Sequence, residues 1–172
     1  MVAQSFLVGG IAAICVLVTL SAFFSSSESA IFTYSPDKVT GESNEAGSRA
    51  ATLAALRDDP HRLLVTILVG NNVVNMAIAS ITTALLTDVM PAGTAVTAAT
   101  VVASFVVLVF GEIVPKSYGL GHANQWALTV AKPLTVIERV LYPLVVVFDF
   151  LTRRLNAAIG GDTSIEKTYL EE

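Results

Sequence analysis

Three stretches of this chain, residues 3 to 24, 63 to 87 and 91 to 111, contain no charged side chain at all. A helix needs roughly 20 apolar residues to cross a bilayer, and each stretch reaches that length. The apolar residues come in these long blocks instead of at the amphipathic spacing of a surface helix, with 53% of the chain hydrophobic and 14% charged. The mean hydropathy of +0.69 is that of a membrane protein. The chain is therefore expected to be an all-α membrane protein with three transmembrane helices, at about residues 8–31, 63–87 and 94–114, and cytoplasmic-side juxtamembrane helices.

The first block is N-terminal, as a secretion signal would be. It has no basic residue ahead of it, however, and it exceeds the usual apolar core of about 7 to 15 residues, so it reads as a retained span. Cys15, the single cysteine, lies inside it and has no partner for a disulfide within the chain. His61 and His122 have no cysteine partners, which leaves a zinc site without ligands. No Ser-His-Asp set, H-E-x-x-H motif or thiol and histidine pair falls at membrane depth, so an enzyme is not expected.

The ten basic residues are Lys38, Arg49, Arg57, Arg62, Lys116, Lys132, Arg139, Arg153, Arg154 and Lys167. The segment before the first span and the turn at 87 to 94 hold none, and flanking positive charge stays on the cytoplasmic side. A multi-pass protein of the cell membrane follows, with its N-terminus outside and its C-terminus in the cytoplasm. Residues 125–157 are apolar enough to suggest a fourth span, but they carry Lys132, Glu138, Arg139, Asp149, Pro133 and Pro143. An ionised residue near the bilayer centre costs about 2.5 to 3.5 kcal/mol on insertion scales. The expected form is a kinked helix along the inner membrane surface, with Trp126 and Tyr142 at headgroup depth. A short helix at about 48–59, capped by Ser48 and ended by Pro60, fills the loop between the first two spans. Residues 161–172 turn polar and acidic, as the start of a linker to further domains does.

Polar groups in lipid need partners, which makes those inside the spans informative. Ser21, Ser25 and Ser29 fall at successive fourth positions and share a helical face. Asn71, Asn72 and Asn75 follow in the second block, with 71 to 75 and 72 to 75 both at same-face spacing. The third block ends in Gly111 and Glu112, with Pro115 three residues beyond. Proline has no N–H, so the carbonyl of residue 111 loses its helical partner, and glycine lets an ion approach that oxygen closely. Hydroxyls, amide oxygens, one carbonyl and one carboxylate form an all-oxygen set, which suits magnesium, calcium or sodium. Each piece also has a plainer reading. The serines can bond back to the preceding turn, the asparagines can join helices, Glu28 can be solvated or cap a neighbouring segment, and Glu112 can pair with Lys116 at i+4.

The stretches "SAFFSSSESAIF", "DPHRLLVTILVGNNVVNMAIAS" and "VLVFGEIVPKSYG", in this order over nearly the whole chain, resemble the transmembrane domain of the cyclin M (CNNM) / CorC magnesium transporter family. The resemblance implies a homodimer in the lipid bilayer, three spans per subunit, a juxtamembrane belt helix, and magnesium efflux driven by sodium entry. It implies neither nucleic acid nor another protein as partner. The ions would be Mg2+ as cargo and Na+ as coupling ion. Carried onto this sequence, the family's metal ligands would be Ser21, Ser25 and Ser29, Asn72 and Asn75 with Asn71 as a further candidate, and Gly111 with Glu112. The chain departs from the pattern at Ser26, where the family often has glycine. Family members continue into cytoplasmic nucleotide-binding CBS modules, so the sequence is expected to be a piece of a longer protein. The rival expectation is a magnesium-sensing membrane anchor that carries no flux.

Overall fold

The computed structural model describes residues 2–35 and 44–159. Among them all regular structure is helical: α1 (Val2–Thr33), α2 (Asn44–Arg57), α3 (Pro60–Thr87), α4 (Ala92–Val106), a π-helical segment (Val107–Ile113), α5 (Val114–Gly121) and α6 (Ala123–Ile159). Three helical stretches are long and apolar enough to cross a membrane: Gln4–Thr33, Pro60–Thr87 and Ala92–Gly121. The all-α membrane fold is thus present, and each helix runs somewhat longer than the charge-free block that announced it. The expected linker at 161–172 lies outside the described residues.

The loop between the first two spans departs from expectation in two ways. Helix α2 begins at Asn44, so Ser48 sits inside it and its carbonyl accepts from Thr52 Oγ1 at 2.9 Å. Pro60 opens α3 and does not close α2. Asp59 precedes it as the N-cap, its Oδ1 accepting from the Arg62 N–H at 3.1 Å. Proline fits that first turn because the N–H it lacks would have no helical acceptor there.

Helix α1 packs against α3, the π-helical segment and α5, while α6 lies against α1, α2 and α3. One apolar core joins Phe24, Ala30 and Ile31 of α1, Leu53 and Leu56 of α2, Leu63 and Ile67 of α3, and Ala127, Val130, Ala131 and Leu134 of α6. Farther along α6, Val145 packs on Val65 and Val69 of α3. Helix α6 therefore crosses the ends of two spans, and the two acids among the charges that disqualified it as a span are paired there. Arg62 Nε lies 2.7 Å from Glu138 Oε1, His61 Nε2 lies 3.3 Å from Asp149 Oδ1, and Arg153 bridges Asp149 at 2.9 Å and Asp59 at 3.2 Å. Pro133 and Pro143 both lie inside the single helix.

Two close approaches fix α1 against the third span. A Cβ on Gly119 would come within 2.3 Å of the Ser26 carbonyl oxygen, and one on Gly111 within 2.6 Å of Ser21 Oγ. Only glycine permits backbones to meet at such range. Ser26, the departure noted above, has a definite role in this packing. Its hydroxyl donates to the Phe23 carbonyl at 3.1 Å and accepts from the Trp126 indole N–H at 3.0 Å, joining α6 to α1.

Candidate functional site

The polar residues of the three spans converge on Ser21, whose side chain is fully buried. Its Oγ lies 3.0 Å from Asn71 Oδ1, 2.8 Å from Asn75 Oδ1 and 3.5 Å from the carbonyl oxygen of Gly111. Asn75 Nδ2 in turn donates to Glu112 Oε1 at 3.4 Å. Asn71 and Asn75 are one helical turn apart on α3, so both amides reach the same point on α1.

Counting hydrogens gives the cluster its meaning. A hydroxyl carries one hydrogen, while amide and peptide oxygens only accept. Three acceptors therefore face one O–H, and at most one of the three contacts is a full hydrogen bond. The other contacts bring partially negative oxygens together with nothing positive between them. Turning the Asn75 amide would relieve one contact but point its oxygen at the Glu112 carboxylate, whereas turning the Asn71 amide would let its Nδ2 donate to Ser21 Oγ. With the amides oriented as they are, oxygen faces oxygen around Ser21, an arrangement that a cation would suit. Six oxygens at the 2.0–2.1 Å typical of magnesium would sit about 2.9 Å from their nearest neighbours, close to the two shorter separations, which are also ordinary O–H···O hydrogen-bond lengths. The donor set is oxygen throughout, as hard cations require.

The third span presents its oxygens by a device the sequence did not announce. Val107–Ile113 is a π-helical segment, in which the Val114 N–H bonds the Val109 carbonyl, five residues back. The helix then continues as α5 through Pro115, which is buried in its first turn. Pro115 does not interrupt the span: the backbone takes the wider π-helical geometry ahead of it and carries on. Such segments recur at functional sites because they turn carbonyls and side chains off the regular helical register. Gly111 sits inside it, fully enclosed, where any side chain would enter the cluster.

The remaining candidate residues are placed as follows. Ser25 is 1% exposed and its hydroxyl has no hydrogen-bond partner; Ser27, which the sequence reading passed over, is in the same condition. Ser29 is half-buried. Asn72 is exposed and its Nδ2 donates to the Leu68 carbonyl at 2.9 Å, so it faces away from Ser21. Lys116 pairs with Glu28 Oε2 at 3.1 Å, joining α5 to α1, whereas the recorded partner of Glu112 is Asn75. The signal for the Lys116 pair was available in the sequence: opposite charges just past the ends of two apolar blocks. Nothing comparable marked the Ser26–Trp126 contact, which spans 100 residues.

Comparison with known proteins gives a consistent picture. The family described as the cyclin M transmembrane N-terminal domain matches residues 12–172. A chloroplastic DUF21 domain-containing protein of Arabidopsis thaliana is 36% identical over 148 residues, covering 86% of this chain and 22% of the relative. A UPF0053 protein of Haemophilus influenzae is 32% identical over 156 residues, covering 90% of this chain and 37% of the relative. The UPF0053 inner membrane protein YfjD of Escherichia coli is 31% identical over 147 residues, covering 85% and 34%. The chain thus spans between a fifth and two fifths of the length of these relatives.

Proposed function

The chain belongs to the cyclin M transmembrane-domain family, and from that premise we propose that it carries magnesium out of the cell through the oxygen cluster between α1, α3 and the π-helical segment. The observation that carries this reading is the set of three acceptor oxygens around the single hydroxyl of Ser21, beside Glu112. Glu112 offsets part of the divalent charge. Ser21, Asn71, Asn75 and the Gly111 carbonyl complete a neutral share of the shell, and Ser25 is a buried hydroxyl free to join. Magnesium gives up its water reluctantly, so few protein ligands and several retained waters are the natural coordination. Sodium entry is the proposed source of free energy, and a homodimer in the cell membrane, N-terminus outside, is the proposed unit.

A second reading, a magnesium-sensing anchor, is favoured by the tight seam beside the cluster. There the Gly119 backbone meets Ser26, and Lys116 is paired with Glu28. In that reading bound magnesium joins the helices and no flux occurs. Purified protein in liposomes loaded with a magnesium-responsive dye, under an imposed sodium gradient, separates the two. Coupled magnesium movement that Glu112→Gln abolishes supports transport. Binding without flux sinks transport and leaves the sensor.

A further inference from the structure

Helix α6 sorts its charges by face. Its two acids, Glu138 and Asp149, turn toward the protein, onto Arg62 and onto His61 with Arg153. Arg153 is further engaged by Asp59. Lys132, Arg139 and Arg154 remain, all exposed. Among the described residues Lys132 and Arg139 have neither an ion pair nor a hydrogen bond, and Arg154 lies over the Phe150 ring at 4.9 Å. These three cations are seven and fifteen residues apart along one helix. At 3.6 residues per turn they fall within a stripe about 60° wide. We propose that this stripe is a binding surface for the headgroups of anionic phospholipids.

Three observations favour that occupant over water. First, the outward side of α6 also exposes large apolar residues among the cations, including Val136 (60%), Val140 (72%), Val147 (54%) and Phe150 (58%). Cations interleaved with apolar side chains suit a headgroup boundary, where the apolar parts enter the acyl region and the charged ends reach up to phosphate. Second, α6 is seated at the ends of spans, through Trp126 on Ser26 of α1 and Val145 on Val65 and Val69 of α3. Its outward face therefore lies at membrane-boundary level. Third, the chain as a whole carries a net charge of −4, so an acid-free stripe does not follow from an excess of basic residues. A zwitterionic headgroup brings its own ammonium beside the phosphate, so three cations with no neighbouring acid discriminate in favour of a net negative lipid. This inference is independent of whether the cluster at Ser21 moves magnesium.

The test is lipid retention. The full chain is reconstituted in vesicles of equal phosphatidylglycerol and phosphatidylcholine and extracted in mild detergent, and the co-purifying lipids are quantified by mass spectrometry. The wild-type protein should retain phosphatidylglycerol over phosphatidylcholine by about fivefold or more, since one cation at an anionic surface is worth about that factor. The triple variant K132Q/R139Q/R154Q should return to the vesicle ratio, and the charge-preserving K132R/R139K/R154K should keep the enrichment. A high-salt wash of the wild-type protein should lower it. Retention at the vesicle ratio by the wild-type protein, undiminished enrichment in the glutamine variant, or enrichment indifferent to salt would each overturn the proposal.

Discussion

Two of the polar regions between the described helices are built on opposite principles. Where α3 meets α6, carboxylates face guanidinium groups: Glu138 faces Arg62, and Asp149 and Asp59 both face Arg153. Where α1 meets α3 and the π-helical segment, oxygen faces oxygen, with one hydroxyl hydrogen among Ser21, Asn71 Oδ1, Asn75 Oδ1 and the Gly111 carbonyl. The first region pairs opposite charges across the helix contact and acts as a fastener, although Arg62 Nε meets Glu138 as an ion pair without hydrogen-bond geometry. The second, as its amides are oriented, is an arrangement that an added positive charge would complete. Buried polarity is thus no guide to function until its hydrogens are counted.

The largest expected effect tests that contrast directly. Glu112→Gln keeps the size of the side chain and removes its charge, so the three spans should still assemble. Thermal protection by magnesium should disappear. A ligand at a hundred times its dissociation constant stabilises by about 2.7 kcal/mol, and that whole increment should be lost in melting curves of the detergent-solubilised variant. Unchanged protection would remove Glu112 from the site. The matching change in the other region, Glu138→Gln, should behave in reverse. It leaves Arg62 Nε, which is shut off from solvent, without its carboxylate. The expected cost is about 1 to 2 kcal/mol because Arg62 is partly hydrated, with the magnesium increment intact. If Glu138→Gln abolished magnesium protection instead, the two regions would not be separable.

A third change falls between the regions. Trp126→Phe keeps an aromatic ring under Tyr118 but deletes the N–H that reaches Ser26 Oγ at 3.0 Å. The loss of one part-buried hydrogen bond should cost about 1 kcal/mol, read as a lower melting temperature with and without magnesium alike. A selective drop in the magnesium-bound form would mean that α6 takes part in holding the cluster.

The spans were legible because a bilayer imposes length and apolarity on contiguous residues, so each block carried its own signal. The composition of the cluster was legible for a similar reason, since serine, asparagine and glutamate in such blocks need partners. What could not be read was rotation and register between helices. Same-face spacing admitted Asn71 with Asn75 and Asn72 with Asn75 equally, and only packing against Ser21 decides which amide turns inward. The π-helical segment was hidden because Pro115 predicts a lost hydrogen bond without saying how the backbone absorbs it. The ends of α2 and α3 were misread because the Asp59–Pro60 pair serves a helix start as well as a helix stop.

The smallest expected effect bears on that rotation. Asn72 is exposed, and its amide donates to the Leu68 carbonyl one turn back, a bond within its own helix that ties it to no other element. Asn72→Ala should therefore change stability by less than about 0.5 kcal/mol, as exposed substitutions away from a special contact do, and should leave the magnesium midpoint where it was. Asn71→Ala removes an oxygen 3.0 Å from Ser21 Oγ and should shift that midpoint to higher magnesium. The pair forms an internal control, since the two residues are neighbours in the chain and chemically identical. Equal shifts from both would require α3 to turn by about 100°, the angle between successive residues, between the state described here and the magnesium-bound one. The oxygen count around Ser21 would then describe an arrangement other than the one that binds the ion.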